Sequence, residues 1–171
     1  MSVLNVVLYP DAPLTEKAQP IVEFGPHIAR LAADMLETMH AHDGVGLAGP
    51  QVGLARRIFV YHEPEGEPRC LVNPEIVAME GREEGEEGCL SMPRVYFDRV
   101  PRATYVGVKG FDETGAPVAL EAHGFLARII QHEYDHLEGI LFPERLDIIS
   151  REIVLQEWQA VRREILAGET G

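Results

Sequence analysis

The amino-acid sequence predicts an α+β fold in which mixed or antiparallel sheets surround a central helix, with one further helix near each end of the chain. Three observations lead there. Apolar residues recur at helical spacing in three separated stretches, residues 26–44, 124–139 and 150–168. Between the first two, runs rich in Val, Ile, Tyr and Phe are broken by Gly, Pro and Asp, which is the pattern of strands and turns. The length of 171 residues fits one domain, residues 1–171, able to bury most of its apolar surface without disulfides.

The first helix is read from PHIARLAADMLETMHAHDG. It places Ile28, Leu31, Ala32, Met35, Leu36 and Met39 on one face, with Pro26 in the first turn and Gly44 as the stop. A Gly-rich loop comes next. RRIFVYH and CLVNPEIVAM then read as strands, and ATYVGVKGFDETGAPVALEA as a hairpin turning at Asp112 to Gly115. EGREEGEEG, residues 80–88, reads only as an acidic run. GFLARIIQHEYDHLEG runs from a helix-starting Gly124 to a C-terminal cap at Gly139, with Phe125, Ile129 and Ile130 on apolar positions. From an N-cap at Ser150, the last helix sets Val154, Trp158, Val161 and Ile165 on one stripe.

Composition excludes several classes. A hydrophobic fraction of 46% and a charged fraction of 25% belong to an ordinary globular chain, and no run is long enough to span a bilayer. The formal net charge of -13 opposes binding to phosphate backbones, so no direct DNA binding is expected. The first residues, MSVLNVVLYPDAPL, carry neither a basic segment nor a long apolar core, and the expected location is cytoplasmic. Cys70 and Cys89 are too few for a disulfide framework.

QHEYDHLEG, residues 131 to 139, carries the chemistry. His132 and His136 stand one helical turn apart, so their ring nitrogens can address one point, and Glu133 lies beside it. Two neutral nitrogen donors and a carboxylate free to take a proton are what a metal hydrolase needs. A coincidental helix face would put these histidines in solvent, whereas they come after an apolar run that should be buried, where unpartnered imidazoles are costly. No histidine lies beyond His136, so a third ligand has to come from upstream. EEGCLSMP presents Cys89 in a setting that suits a thiolate, while Cys70 in CLVNP looks like core.

Three segments match one family in order and spacing: GVGLAGPQVG at 44–53, EGCLSMP at 87–93 and QHEYDHLEG. Together they resemble peptide deformylase, which removes the formyl group from the N-terminal formylmethionine of new bacterial and organellar proteins. The resemblance implies Cys89, His132 and His136 as metal ligands and Glu133 as general base and acid. It also implies the backbone N–H of Leu90 and the carboxamide of Gln51 as donors to the oxyanion. Val45, Gly46 and Gly88 would lie along the substrate backbone, and Phe125, Ile129 and His132 around the methionine side chain, with ordinary core packing the lesser alternative for Phe125 and Ile129. Glu87 would pair with Arg102 to hold the Cys89 loop.

The implied cofactor is one divalent metal ion, Fe(II) in the cell, with Zn(II), Ni(II) or Co(II) able to replace it in isolated protein. The implied partners are N-formylmethionyl nascent chains, with a transient ribosome contact through Arg151, Arg162 and Arg163 as a weaker expectation against a plain solvated helix face. The sequence departs from the family pattern at Gly49, where alanine is usual, and at Arg94, where glycine often comes after the proline. Two rival readings share the motif. One is a metallopeptidase cutting ordinary peptide bonds. The other is a structural metal site, which would need a fourth protein ligand.

Overall fold

The computed structural model describes residues 2–170. Helix α1 spans Pro26–Ala41 and buries Ile28, Ala32, Met35 and Met39. Its end differs by one residue from the expected stop. Asp43 takes the left-handed conformation, at φ 55°, and its N–H donates to His40 O, while the Gly44 N–H returns to Met39 O. A Cβ at Gly44 would sit 2.9 Å from Leu90 Cδ1, the flexible end of that side chain.

The strands are β1 (Gly46–Ala48), β2 (Ile58–Tyr61), β3 (Arg69–Glu80), β4 (Glu83–Cys89), β5 (Met92–Arg102), β6 (Tyr105–Phe111) and β7 (Pro117–His123). Five of them form an antiparallel sheet in the order β1-β2-β3-β6-β7, and β4 and β5 form a separate hairpin. The predicted turn between β6 and β7 is present. Asp112 Oδ1 accepts the N–H groups of Thr114 and Ala116, and Gly115 sits at φ 88°.

The acidic run 80–88 is not an irregular surface segment, because most of it is β4. Pairing with β5 supports it, for example Glu83 opposite Arg102 and Gly85 opposite Val100. Strand propensity did not reveal this, since its residues before Cys89 are Glu and Gly and the contribution comes from cross-strand partners.

Helix α2 (Gly124–Leu137) lies on one face of the five-stranded sheet, where Ile129, Ile130 and Leu137 meet Phe59, Leu71, Val106 and Val108. Gly139, at φ 77°, ends it as expected. On the opposite face α1 packs Met35 and Met39 against Ile58, Val60 and Val72. Neighbouring residues of β2 thus enter different cores, which is why IFVY shows a continuous apolar run.

Helix α3 (Ile148–Thr170) covers the hairpin, with Val154 and Trp158 against Met92, Val95 and Val100. Its cap is Asp147 rather than the expected Ser150. Asp147 Oδ1 accepts the Ser150 N–H at 2.8 Å and Oδ2 accepts its hydroxyl at 3.0 Å. Among the described residues no helix is long and apolar enough to cross a membrane.

Candidate metal centre

Two periodicities meet at the site. On α2, residues 128, 132 and 136 recur at four-residue steps and share a face; on β4, residues 87 and 89 share the side turned toward that face. Arg128 Nη1 donates to Glu87 Oε2 at 2.8 Å, and His132 Nδ1 lies 2.7 Å from Glu87 Oε1. His136 Nε2 lies 3.4 Å from Cys89 Sγ. The donor atoms of Cys89, His132 and His136 all fall within 4.8 Å of one another. Cys70 is elsewhere, buried in the core beneath α1, where burial pushes its thiol far up.

Glu87 accepts both Nε and Nη2 of Arg102, at 2.7 and 2.8 Å, so the expected pair is present. The network is larger than the sequence suggested. Arg102 also donates to Asp135 Oδ2 at 2.6 Å, and Asp135 receives Arg145 through both oxygens. Arg128 and Asp135 were legible only as charged residues on a buried helix face, which is itself a sign of a partner. Burial would raise the Glu87 carboxyl, but the hydrogen bonds from Arg102 and His132 and their charges outweigh it and hold it far below the usual carboxylate range.

Glu133 lines the same cavity as Glu87 and His132. Its Oε1 is buried without a hydrogen-bond partner, its Oε2 lies 4.0 Å from His132 Nε2, and burial pushes its carboxyl up to about 7. Gly46 on β1 packs directly against it, and a Cβ there would collide with the carboxylate. Gln51 is oriented from both ends. Its Oε1 accepts the Ala48 N–H at 2.9 Å, and its Nε2 donates to Ser91 Oγ at 3.2 Å and to Cys89 Sγ at 3.4 Å. Ser91, which the EGCLSMP motif contained without a role of its own, therefore belongs to the site as a partner of Gln51.

Gln51, Glu87, Cys89, His132 and Glu133 line one cavity of about 850 Å³ together with Val45, Gly46, Gly88, Leu90, Phe125 and Ile129, and His136, fully buried, joins them through Cys89 and His132. Every sequence-predicted site residue is therefore brought together. Ile129 is 3% exposed and belongs to the core as well as the wall, whereas Phe125 is 49% exposed and packs the wall only. A second cavity of about 830 Å³ lies between β3 and α2 beside Met79, Tyr134 and Arg145, away from the Cys89, His132 and His136 donors.

One sulfur and two imidazole nitrogens form a donor set suited to a transition metal, and three protein donors leave a position open, the pattern of catalytic rather than structural sites. Among the described residues no other group of His, Cys, Asp and Glu has this geometry. The unpartnered Glu133 oxygen in the same cavity fits a group awaiting a proton.

Known proteins share this arrangement of chain and fold. Residues 3–152 match the polypeptide deformylase family model. A peptide deformylase of Desulforudis audaxviator is 46% identical over 150 residues, covering 87% of this chain and 97% of that relative. The crystal structure of peptide deformylase from Thermus thermophilus superposes with a TM-score of 0.89 at 48% identity, over 92% of this chain and 94% of that one. The enzyme of Ehrlichia chaffeensis in complex with actinonin gives a TM-score of 0.90 at 37% identity, over 95% and 99%.

Proposed function

We propose residue roles from the premise that this chain belongs to the peptide deformylase family, whose members remove the N-formyl group from newly synthesised polypeptides. Cys89, His132 and His136 hold one divalent metal ion, Fe(II) in the cytoplasm, with Zn(II), Ni(II) or Co(II) as substitutes. When bound, the ion lowers the pKa of water and polarises a carbonyl oxygen. Glu133 takes the proton of the attacking water on its carboxylate and passes it to the departing amide nitrogen, so that formate and a free α-amine result. The Gln51 Nε2–H and the Leu90 backbone N–H donate to the formyl oxygen as negative charge gathers there. Phe125 and Ile129 receive the methionine side chain, and the peptide backbone runs beside Val45, Gly46 and Gly88.

The observation that carries this reading is the convergence of one sulfur and two imidazole nitrogens beside an unpartnered carboxylate oxygen at one cavity. Contact with the ribosome through α3 would fall mainly to Arg163. Arg151 donates to the carbonyls of Pro143, Glu144 and Leu146, and Arg162 to Asp11. The test is formate release from a formyl-Met tripeptide under anaerobic conditions with Fe(II) or Ni(II), beside Glu133→Gln. The variant should keep its metal and lose roughly 10²- to 10⁴-fold in kcat. Undiminished turnover in the variant would remove Glu133 from the reaction.

A further inference from the structure

One residue at the mouth of the cavity is held in a conformation that disfavours it. Arg94 comes directly after Pro93 in β5 with φ 69°, the left-handed region where glycine is at ease and a side chain is strained. Its side chain is 55% exposed and meets Glu164 of α3 at 3.4 Å, a contact whose other member is 69% exposed. Such an open pair exchanges partners readily.

The charges around it make this side chain unusual. Besides Arg94, the cavity lining among the described residues has one guanidinium, Arg128. Arg128 is buried, with its donors on Glu87, Val100 O and Glu83 O. The same mouth carries the exposed carboxylates of Asp43 and Glu86, on a chain of net charge -13. Arg94 is thus the one guanidinium at this mouth that is open to exchange its partner for a substrate carboxylate, with His42 the other basic side chain exposed there. The methionine wall of Phe125 and Ile129 lies on α2, whereas Arg94 sits on the hairpin beyond Leu90, so the cation faces the substrate residues downstream of the methionine.

We infer that Arg94 is a specificity-determining residue that selects formyl peptides carrying an acidic side chain downstream of the methionine, with Glu164 as the internal competitor for its guanidinium. This rests on the deformylase reading and names the substrate class that the same site prefers. Binding of a downstream carboxylate exchanges one solvent-exposed ion pair for another, so the gain is modest and acts largely on encounter.

The test uses metal-loaded full-length protein and formyl-Met-Ala-Xaa-Ser peptides with amidated C-termini, so that no terminal carboxylate substitutes for the side chain. Xaa is Glu, Gln or Lys. The parent should favour Glu over Gln by roughly two- to fivefold in kcat/KM, with Lys poorest, and the preference should shrink as salt is raised to about 0.5 M. Arg94→Gly removes the charge and relieves the backbone, and it should bring the Glu/Gln ratio to one or below whatever its absolute rate, because Asp43 and Glu86 remain at the mouth. Arg94→Lys should keep a ratio above one, and Arg94→Glu should invert it. Glu164→Gln should raise it above the parent, which a purely structural role for Arg94 does not predict. A ratio of one in the parent, or an unchanged ratio in Arg94→Gly, overturns the inference while deformylation of the Gln peptide leaves the activity standing. Absence of formate from every peptide overturns the activity and the inference together.

Discussion

Replacing Gly46 by alanine should disable turnover while leaving the three metal donors in place. The added Cβ would lie 2.8 Å from Glu133 Cδ and 2.9 Å from its Cγ, and would overlap Oε2, where carbon atoms in contact settle at about 3.5–4.0 Å. Relief therefore needs a relative shift of roughly 0.6–1.2 Å. The backbones resist it. β1 is paired to β2 through Gly46 and Tyr61 and continues into the fully buried Leu47 and Ala48. Glu133 sits in the middle of α2, between the buried Ile130 and Leu137. The carboxylate has to swing instead.

Displacing a proton-transfer group by about 1 Å costs about 100-fold in rate, or about 2.7 kcal/mol in the barrier. Overpacking should lower stability by roughly 1–3 kcal/mol as well. The assay is kcat on a saturating formyl-Met tripeptide, with metal per chain and the melting temperature measured on the same sample. A kcat within threefold of the parent at full metal content would refute the constraint of Glu133 by Gly46. Gly88→Ala supplies the contrast. Its Cβ would fall 2.5 Å from the Tyr96 ring, an overlap of similar severity. Tyr96 is 60% exposed and can swing outward, so the stability cost should stay below about 1 kcal/mol.

Cys89→Ala should lose bound metal after dialysis, whereas Cys70→Ala should retain it, and equal metal content in both would take Cys89 out of the donor set. Glu87→Gln leaves Arg102 and Arg128 buried without their shared carboxylate. It should cost roughly 3–5 kcal/mol in denaturant titration, and a loss under about 1 kcal/mol would show the network to be better solvated than its geometry indicates. Asp147 is held below its ordinary 3.8 by the Ser150 N–H and hydroxyl. A depressed carboxyl stabilises the fold fully above the ordinary value and loses that contribution as pH falls through the lowered one. Asp147→Ala should therefore melt below the parent from about pH 7 to 5, the gap closing below the ordinary value; a gap that widens in acid would exclude the cap.

Elements with a single strong period were readable from the sequence. The stripes of α1 and α3 and the spacing of His132, Glu133 and His136 each arise from local geometry, and the structure places them as read. What escaped depends on contacts distant in sequence. β4 contains Glu and Gly until Cys89, so its strand character exists only opposite β5. The Asp43 and Asp147 helix ends were each missed because a nearby residue, Gly44 or Ser150, is the more frequent choice for such a position. Ser91 acquires its place from Gln51, forty residues away, and Asp135 from Arg102 and Arg145. Arg94 was visible as a departure at a glycine position, but only its φ shows why glycine suits that position.

The buried ions behind His132 raise the question of why the chain keeps them. Glu87 and Asp135 are surrounded by Arg102, Arg128 and Arg145, and such groups lose much of their attraction to desolvation, so apolar replacements of similar volume are often as stable. Position supplies the answer. Glu87 precedes Cys89 by two residues on one strand face and grips both Arg128 and His132 of α2, so its four hydrogen bonds set the distance between the sulfur and the two imidazoles. A triple variant, Glu87→Met with Arg102→Leu and Arg128→Leu, separates the two contributions, because Asp135 keeps Arg145. It should fold with a stability nearer the parent than Glu87→Gln, yet bind metal roughly 10- to 100-fold more weakly. Parent-like metal affinity in the folded triple variant would mean that the packing of β4 on α2 places Cys89 without the ions, and their retention would then need another cause.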